Sequence, residues 1–507
     1  MSDTILARLE ARAPAARAIG APGRPWLDTR ALLALAAETR ARLAAVGIGR
    51  GDRLAIVLPN GPEMAAAFVS VAAATCAAPL NPAYRDEEFS FYLSDLKPKA
   101  LLIQTGLGSP ARAVAARLGI PLIELSPEPE GPAGLFRLDT SALSPAAPAQ
   151  DGPVTPADAA LVLHTSGTTA RPKIVPLSNA NLAASARHIG STLALGPADA
   201  CLNIMPLFHI HGLIGATLSS LAAGAGVSCT SGFNAIRFLS QAEDVRPTWY
   251  SAVPTMHQAI LARAEREKER ARALNLRFIR SSSSSLPRQV MAALEEVFGC
   301  PVIESYGMTE ASHQMTSNPL PPRPRKPGSV GPAAGPEVAI MDGSGGLLPP
   351  GESGEVVIRG PNVTKGYAEN PEANAKSFTD GWFRTGDEGR LDQEGYLWLT
   401  GRIKEIINRA GEKISPLEVD AILMDHPAVA QVVTFALPHT LLGEEVAAAV
   451  VLRERFSTTE GELREFCSTR LSAYKVPRKI LFMKEIPKGA TGKLQRIGLA
   501  QKLGLAG

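Results

Sequence analysis

Thr165-Ser166-Gly167-Thr168-Thr169-Ala170-Arg171-Pro172-Lys173 follows the apolar run Ala159-Ala160-Leu161-Val162-Leu163. The run reads as a buried strand. The loop after it supplies hydroxyls, a glycine and two cations in quick succession. Such a loop can turn main-chain N–H groups, hydroxyls and cationic side chains towards a polyphosphate. It lacks the G-x-x-x-x-G-K-[ST] spacing of a Walker A loop. Taken alone it reads more readily as a polar turn, because Ser, Thr and Gly are ordinary turn formers. The surrounding chain reverses that balance.

Upstream, strand and helix signals alternate. Arg30 to Val46 carries helical spacing and stops at Gly47. Arg53 to Leu58 reads as a strand, and a helix is expected from there to about Ala78. Asp86-Glu87-Glu88 forms the acidic first turn of another helix, and Ala100-Leu101-Leu102-Ile103 is a strand. This alternation predicts parallel-sheet α/β packing. Residues 126–157 are rich in Pro, Ser and Ala and read as a surface connection. Downstream, the α/β pattern continues to about residue 315. The charged Arg263–Arg272 stretch reads as a solvated helix face. From Pro319 to Pro361, Gly, Pro and short β runs such as Glu355-Val356-Val357-Ile358 predict a smaller β-rich subdomain. From Gly401 the pattern restarts. Strands are expected at Glu405–Asn408, Gln431–Ala436, Ala447–Leu452 and Lys479–Phe482, with helices at Pro416–Leu423 and Thr459–Leu471. That is the size of a separate α+β domain.

The composition suits a soluble enzyme of at least two domains. There are 507 residues, 45% apolar and 20% charged. A net charge of +3 gives no reason to expect nucleic acid or a membrane as partner. The helix candidate Met64–Leu80 is Ala-rich and short, a core helix rather than a membrane span. Cys76, Cys201, Cys229, Cys300 and Cys467 are scattered without a C-x-x-C pair and read as free thiols. No secretory signal is recognised, and Gly504-Leu505-Ala506-Gly507 does not match the S-K-L address. We expect a cytoplasmic monomer or homodimer.

Five stretches fall in a fixed order. They are residues 165–173; Glu304-Ser305-Tyr306-Gly307-Met308-Thr309-Glu310; Phe383-Arg384-Thr385-Gly386-Asp387; Gly401-Arg402-Ile403-Lys404-Glu405; and Pro487-Lys488-Gly489-Ala490-Thr491-Gly492-Lys493. Together they resemble the adenylate-forming superfamily of acyl-CoA synthetases, peptide-synthetase adenylation domains and luciferases. The resemblance covers nearly the whole chain. It implies a large N-terminal AMP-binding domain over residues 1–400, a hinge at 401–404, and a small mobile α+β domain over 405–507 that carries the catalytic lysine.

The resemblance also assigns roles. Thr165, Ser166, Gly167, Thr168, Thr169 and Lys173 match the family's phosphate loop. Glu310 matches the Mg²⁺ ligand on ATP, and a carboxylate beside a Thr is what an oxygen-coordinated Mg²⁺ requires. Thr309 matches a phosphate contact, and Tyr306 the ring stacked on adenine. Glu304 and Gly307 belong to the same nucleotide-binding stretch. Asp387 and Arg402 match the two ribose contacts, although an Asx-turn would equally explain Asp387. Lys493 matches the mobile lysine that neutralises charge developing on the α-phosphate and then leaves. It is not a displaced Walker A lysine, since Pro487 and Leu494 stand where Gly and Ser/Thr would be needed. Lys404 matches the hinge, which absorbs backbone change rather than performing chemistry. Gly411, with Arg409, would face the pantetheine tunnel of CoA, a narrow passage favouring a residue without a side chain. Lys475 and Arg478 are further cations that could meet CoA phosphates, though solvated surface is the plainer reading.

The acid is set by other residues. His209 matches the family's gate position; no third ligand makes His209 and His211 a metal pair. Arg280 is followed by five serines, Ser281 to Ser285, where relatives taking long or aromatic acids carry a Ser-Gly-Ala-Ala-Pro-like run. Part of this run, Ser283 to Ser285, would cradle adenine. His313 lies just beyond the Mg²⁺ stretch. An apolar acyl tunnel lined by Ser and His would leave polar groups unpaired, whereas a short diacid would pair them. These stretches resemble oxalate–CoA ligases, which implies oxalate bound by His209, Ser283 and His313. Malonate or another short acid, and then 4-coumarate or a medium-chain fatty acid, are the alternatives. A nucleotide-binding or carrier-loading module is the reading from another class.

Overall fold

Continuous apolar runs become inner strands of parallel sheets, where both faces are covered. Leu101, Leu102 and Ile103 are such residues, all fully buried. The structure, a computed structural model, describes residues 3–165, 172–489 and 492–505. Among these, the strands form four sheets.

One seven-stranded sheet runs, in spatial order, Phe136–Asp139, Leu122–Pro127, Ala100–Gln104, Arg53–Val57, Cys76–Pro79, Ala159–His164, Ile174–Ser178. Its inner pairs are parallel and its two outer pairs antiparallel. The eight-stranded sheet runs His313–Ser317, Val302–Met308, Phe278–Ser281, Trp249–Ala252, Ala200–Asn203, Gly226–Cys229, Arg17–Ala21, Arg24–Asp28. Its parallel centre is likewise flanked by antiparallel pairs. Helices such as Thr29–Ala45, Pro62–Ala72 and Asn179–Thr192 pack on these sheets. Ser178 and Asn181 cap the last of them reciprocally, and Asn181 also donates to the carbonyls of Pro361 and Val363. The expected β-rich unit is a five-stranded antiparallel sheet built on Ser353–Arg359 and Trp382–Leu391, with Leu397–Arg402 at one edge.

A small C-terminal domain follows. Its five-stranded sheet centres on the Val429–His439 and Gly443–Leu452 hairpin, with Lys479–Phe482 added in parallel. It has its own core of Ile407, Ile414, Val419, Leu423, Val446 and Val450. The whole is a mixed α/β fold, with a large N-terminal part and this smaller domain.

Three expectations change. The helix expected to reach Ala78 ends at Ala72, and Cys76–Pro79 is a fully buried strand. An Ala-rich run with every residue buried has no periodicity to separate the two states. Parallel pairing with Arg53–Val57 decides it, and the Thr75 hydroxyl donates to Gly49 O at 2.7 Å at the bend. The 126–157 connection is not all surface loop, since Phe136–Asp139 pairs with the strand before it. The strand expected at Glu405–Asn408 is Ile407–Arg409, and residues 403–406 form a turn closed by Ile406 N–H on Arg402 O at 3.1 Å. No helix among the described residues is long and apolar enough to cross a membrane.

Candidate active site

The strand Val302–Met308 runs into the short turn Thr309–Ala311 and reverses into His313–Ser317. Ser312 and His313 take φ of 50° and 99° to make the reversal. Gly307 sits against it, and a Cβ there would lie 1.5 Å from the His313 carbonyl oxygen. The turn buries Glu310. Its Oε1 accepts from the Tyr367 hydroxyl at 2.8 Å, and its carbonyl from Thr364 N–H at 2.7 Å. Burial holds the Glu310 carboxyl above its ordinary range. Lys173 Nζ lies 4.4 Å from the centre of the Tyr367 ring. Thr165 and Lys173 bond to each other twice: Thr165 N–H donates to Lys173 O at 2.9 Å, and Lys173 N–H to Thr165 Oγ1 at 3.1 Å. The loop's flanks are thereby closed next to the Glu310 turn.

Asp387 arrives from the five-stranded sheet. The Tyr306 hydroxyl donates to its Oδ2, and Arg402 Nε lies 3.3 Å from its Oδ1. Asp387 is buried, which raises its carboxyl above the ordinary range, and Arg402 opposes that shift. Asp387 and Arg402 face each other because the strands Trp382–Leu391 and Leu397–Arg402 pair in that register.

A polar cluster lies buried beside this site. Arg280 is fully buried, and its guanidinium donates to Gly215 O at 3.3 Å, Gln314 Oε1 at 3.1 Å and His313 Nε2 at 3.2 Å. A guanidinium only donates, so His313 Nε2 accepts and its proton sits on Nδ1. These three partners carry no negative charge, and burial pushes Arg280 down to about 10. The His313 and His211 rings are 4.8 Å apart. His211 is held by Ser251 Oγ at 2.6 Å and Ser283 Oγ at 3.1 Å. Burial, and then neighbouring positive groups, keep both histidines neutral. His209 Nδ1 accepts from His211 N–H at 3.3 Å, leaving the proton on Nε2. Burial, followed by Lys493, pushes His209 down to about 3. His209 and Thr309 line one small cavity of about 40 Å³ with Tyr84, Tyr92 and His164.

The loop around Lys493 comes from the small domain. It is closed on itself by Gly489 N–H on Lys493 O at 2.8 Å and Gln495 N–H on Pro487 O at 3.1 Å. Desolvation, and then Arg402, push the Lys493 ammonium down to about 8, while Asp387 works in the opposite sense. A cavity of about 730 Å³ lies between the two domains, lined by Lys493, Ser284, Ser285, Arg288, Trp398 and Thr400 among others. The structure thus brings the buried Glu310 carboxylate, Asp387 with Tyr306 and Arg402, the neutral histidines and the perturbed Lys493 into one region of the molecule.

Comparison with known proteins places the chain in a family. A family model described as "AMP-binding enzyme" matches residues 7–368, and one described as "AMP-binding enzyme C-terminal domain" matches residues 418–493. The chain belongs to the AMP-binding enzymes. It is 46% identical to an oxalate–CoA ligase of Arabidopsis thaliana, over 99% of this chain and 98% of the relative. It is 43% identical to an oxalate–CoA ligase of Saccharomyces cerevisiae, over 89% and 87%. A probable CoA ligase, CCL9, of Humulus lupulus is 47% identical over 95% and 92%. Among solved structures, ATP-bound MatB from Rhodopseudomonas palustris superposes with a TM-score of 0.88 at 30% identity, covering 99% of both chains.

Within this AMP-binding enzyme, several expected site residues have their own local occupations. Along the serine run, Ser281 and Ser282 are buried, Ser283 holds His211, and Ser284 and Ser285 are exposed on the interdomain cavity. Glu304 accepts from Gly328 N–H at 3.2 Å, and burial pushes its carboxyl up to about 7. Arg409 pairs with Glu445 at 2.8 Å. Gly411 is required by its turn, where φ is 93°; a Cβ there would meet no atom within 4 Å, so crowding is not the reason in this conformation. Lys404 lies exposed in the 403–406 turn. Ser166, Gly167, Thr168 and Thr169 lie outside the described residues. Sequence reading missed Tyr367 and the buried guanidinium of Arg280 as a partner of His313. Neither sits in a recognisable motif; the one signal was an arginine in the apolar strand Phe278–Ser281.

Proposed function

We propose that this chain is an AMP-forming oxalate–CoA ligase. The observation that carries the acid assignment is the buried Arg280–His313–His211–Ser283 cluster, a guanidinium and neutral donors beside the Glu310 turn. A long apolar acyl chain would leave the buried Arg280 guanidinium without a counter-charge, whereas the second carboxylate of a short diacid supplies the missing negative charge. The oxalate–CoA ligase relatives from Arabidopsis and yeast support the same acid.

The reaction has two halves. An oxygen of one substrate carboxylate attacks the α-phosphorus of ATP; the bond to the β-phosphate oxygen breaks and pyrophosphate leaves. The sulfur of CoA then attacks the acyl carbon; AMP leaves and the thiol proton passes to solvent. Asp387 and Arg402 hold the ribose, and Tyr306, Glu304, Gly307 and Ser283 to Ser285 surround the base. Residues 165–169, Lys173 and Thr309 take the phosphates. Lys493 stabilises charge in the first half. His209 offers Nε2–H to the acid as it enters, with Ser283 and His313 behind it.

Glu310 suits Mg²⁺, which takes one or two carboxylates together with substrate phosphates and water. When bound, the ion neutralises phosphate charge. Glu310 itself is aimed by Tyr367.

We assign residues 1–400 to the N-terminal domain, 401–404 to the hinge about Lys404, and 405–507 to the C-terminal domain, with Gly411 and Arg409 on the CoA side after rotation. We place the enzyme in the cytoplasm as a monomer or homodimer without nucleic-acid or membrane partners.

AMP release with Mg·ATP and CoA, across oxalate, malonate, acetate, octanoate and 4-coumarate, tests the proposal. Oxalate should give the highest kcat/KM. A preference for octanoate or 4-coumarate would sink the acid assignment and leave the ligase reading standing.

A further inference from the structure

The first turn of the helix Pro254–Ala264 lines the interdomain cavity. Its first turn has no side-chain cap. Thr255, in that turn, directs its hydroxyl out of its own helix and donates to the carbonyl oxygen of Gly492 at 2.7 Å. Gly492 immediately precedes Lys493. A Cβ on Gly492 would stand 3.4 Å from both Thr255 Oγ1 and Val253 Cγ2, so Gly492 lies flush on the helix start. One turn along the same helix face, Gln258 Nε2 donates to Ala430 O of the small domain at 3.3 Å. Both donors belong to the large domain and both acceptors are backbone carbonyls of the small one. Backbone bonds join Gly489 to Lys493 and to Gly492, and Pro487 to Gln495, so Lys493 is held by its described neighbours and the Thr255–Gly492 bond fixes where they meet the large domain.

We propose that Thr255 is a positioning residue for adenylate formation, a latch that seats the Lys493 loop in the cleft and lets go when the small domain turns for thioester formation. The proposal rests on the assignment of Lys493 to the first half-reaction. A single neutral hydrogen bond has the right strength for a latch. It is worth roughly a 3- to 10-fold bias between docked and released states, enough to favour docking and too little to trap it.

The test compares Thr255→Val, which keeps the shape and loses the donor, with Thr255→Ser, which keeps the donor. Lys493→Ala serves as reference. Adenylate formation is followed by ATP–pyrophosphate exchange, using the acid that turns over fastest. Thioester formation is followed in a single turnover: adenylate is formed without CoA, and CoA is then added together with EDTA. Thr255→Val should slow exchange about 3- to 10-fold and leave the second step unchanged or faster, and Thr255→Ser should restore exchange. Equal slowing of both steps, or exchange at the wild-type rate beside a crippled Lys493→Ala, overturns the latch. Wild-type exchange in Lys493→Ala overturns the reading of the lysine, and the latch with it.

Discussion

The Tyr306 hydroxyl donates to Asp387 Oδ2 although the two residues are 81 positions apart and belong to different sheets. This bond ties the Glu310 hairpin to the Asp387 carboxylate, which we assign to the ribose. Asp387 is desolvated, with Arg402 as its cationic neighbour, so its orientation depends on the tyrosine. Tyr306→Phe keeps the ring and removes the donor. The KM for ATP should rise about tenfold with the KM for the acid nearly unchanged, because a bond to a charged group is worth about 1.5 kcal/mol. Steady-state kinetics with each substrate varied in turn decide it. A larger change in acid KM than in ATP KM contradicts this role.

His313→Ala removes the ring that accepts from Arg280, and Ser283→Ala removes the hydroxyl that holds His211. Both should raise the KM for the acid, by about tenfold or more for His313, while ATP affinity measured by calorimetry stays close to wild type. Equal loss of ATP binding would place the cluster on the nucleotide side instead.

Lys493→Ala should lower the rate of adenylate formation about 100- to 1000-fold, the loss typical of a preorganised charge-stabilising group. The pH dependence has a definite sign. On the proposed role the lysine acts while protonated, and burial brings its titration down to about 8. In the free enzyme, kcat/KM for ATP should therefore fall as pH rises through about 8, well below the range of an ordinary lysine. Lys493→Arg should move that fall to higher pH. A profile flat from pH 7 to 10 would contradict the assignment.

Tyr367→Phe takes away the hydroxyl that aims Glu310. The Mg²⁺ concentration giving half-maximal AMP release should rise about fivefold, with the maximal rate at saturating Mg²⁺ largely recovered. An unchanged Mg²⁺ requirement would mean that the Glu310 turn needs no such support.

Motif residues were legible in the sequence, and their supports were not. Glu310, Asp387 and Lys493 could be named from local wording. The structure adds Tyr367 behind the first, Tyr306 behind the second and Thr255 beneath the third. The serine run shows the same limit. Ser283 to Ser285 read as an adenine cradle, with Ser283 also on the acid, but burial changes along the run from Ser281 and Ser282, which are buried, to Ser284 and Ser285, which are exposed, and Ser283 takes φ of 76° and bonds to His211. Cys76–Pro79 failed for a different reason: a fully buried Ala-rich run has no polar face to mark its period.

The sequence by itself determined the α/β alternation, the separate C-terminal unit and the family, because hydrophobic period, turn chemistry and motif order are local properties of the chain. Tertiary structure alone decided which groups answer one another. The contacts Glu310–Tyr367, Tyr306–Asp387 and Thr255–Gly492 span 57, 81 and 237 residues. A hydrogen bond requires an approach of about 3 Å and a fixed direction. No periodicity encodes such an approach across those distances; it follows only when sheets, turns and the docked small domain have taken their places.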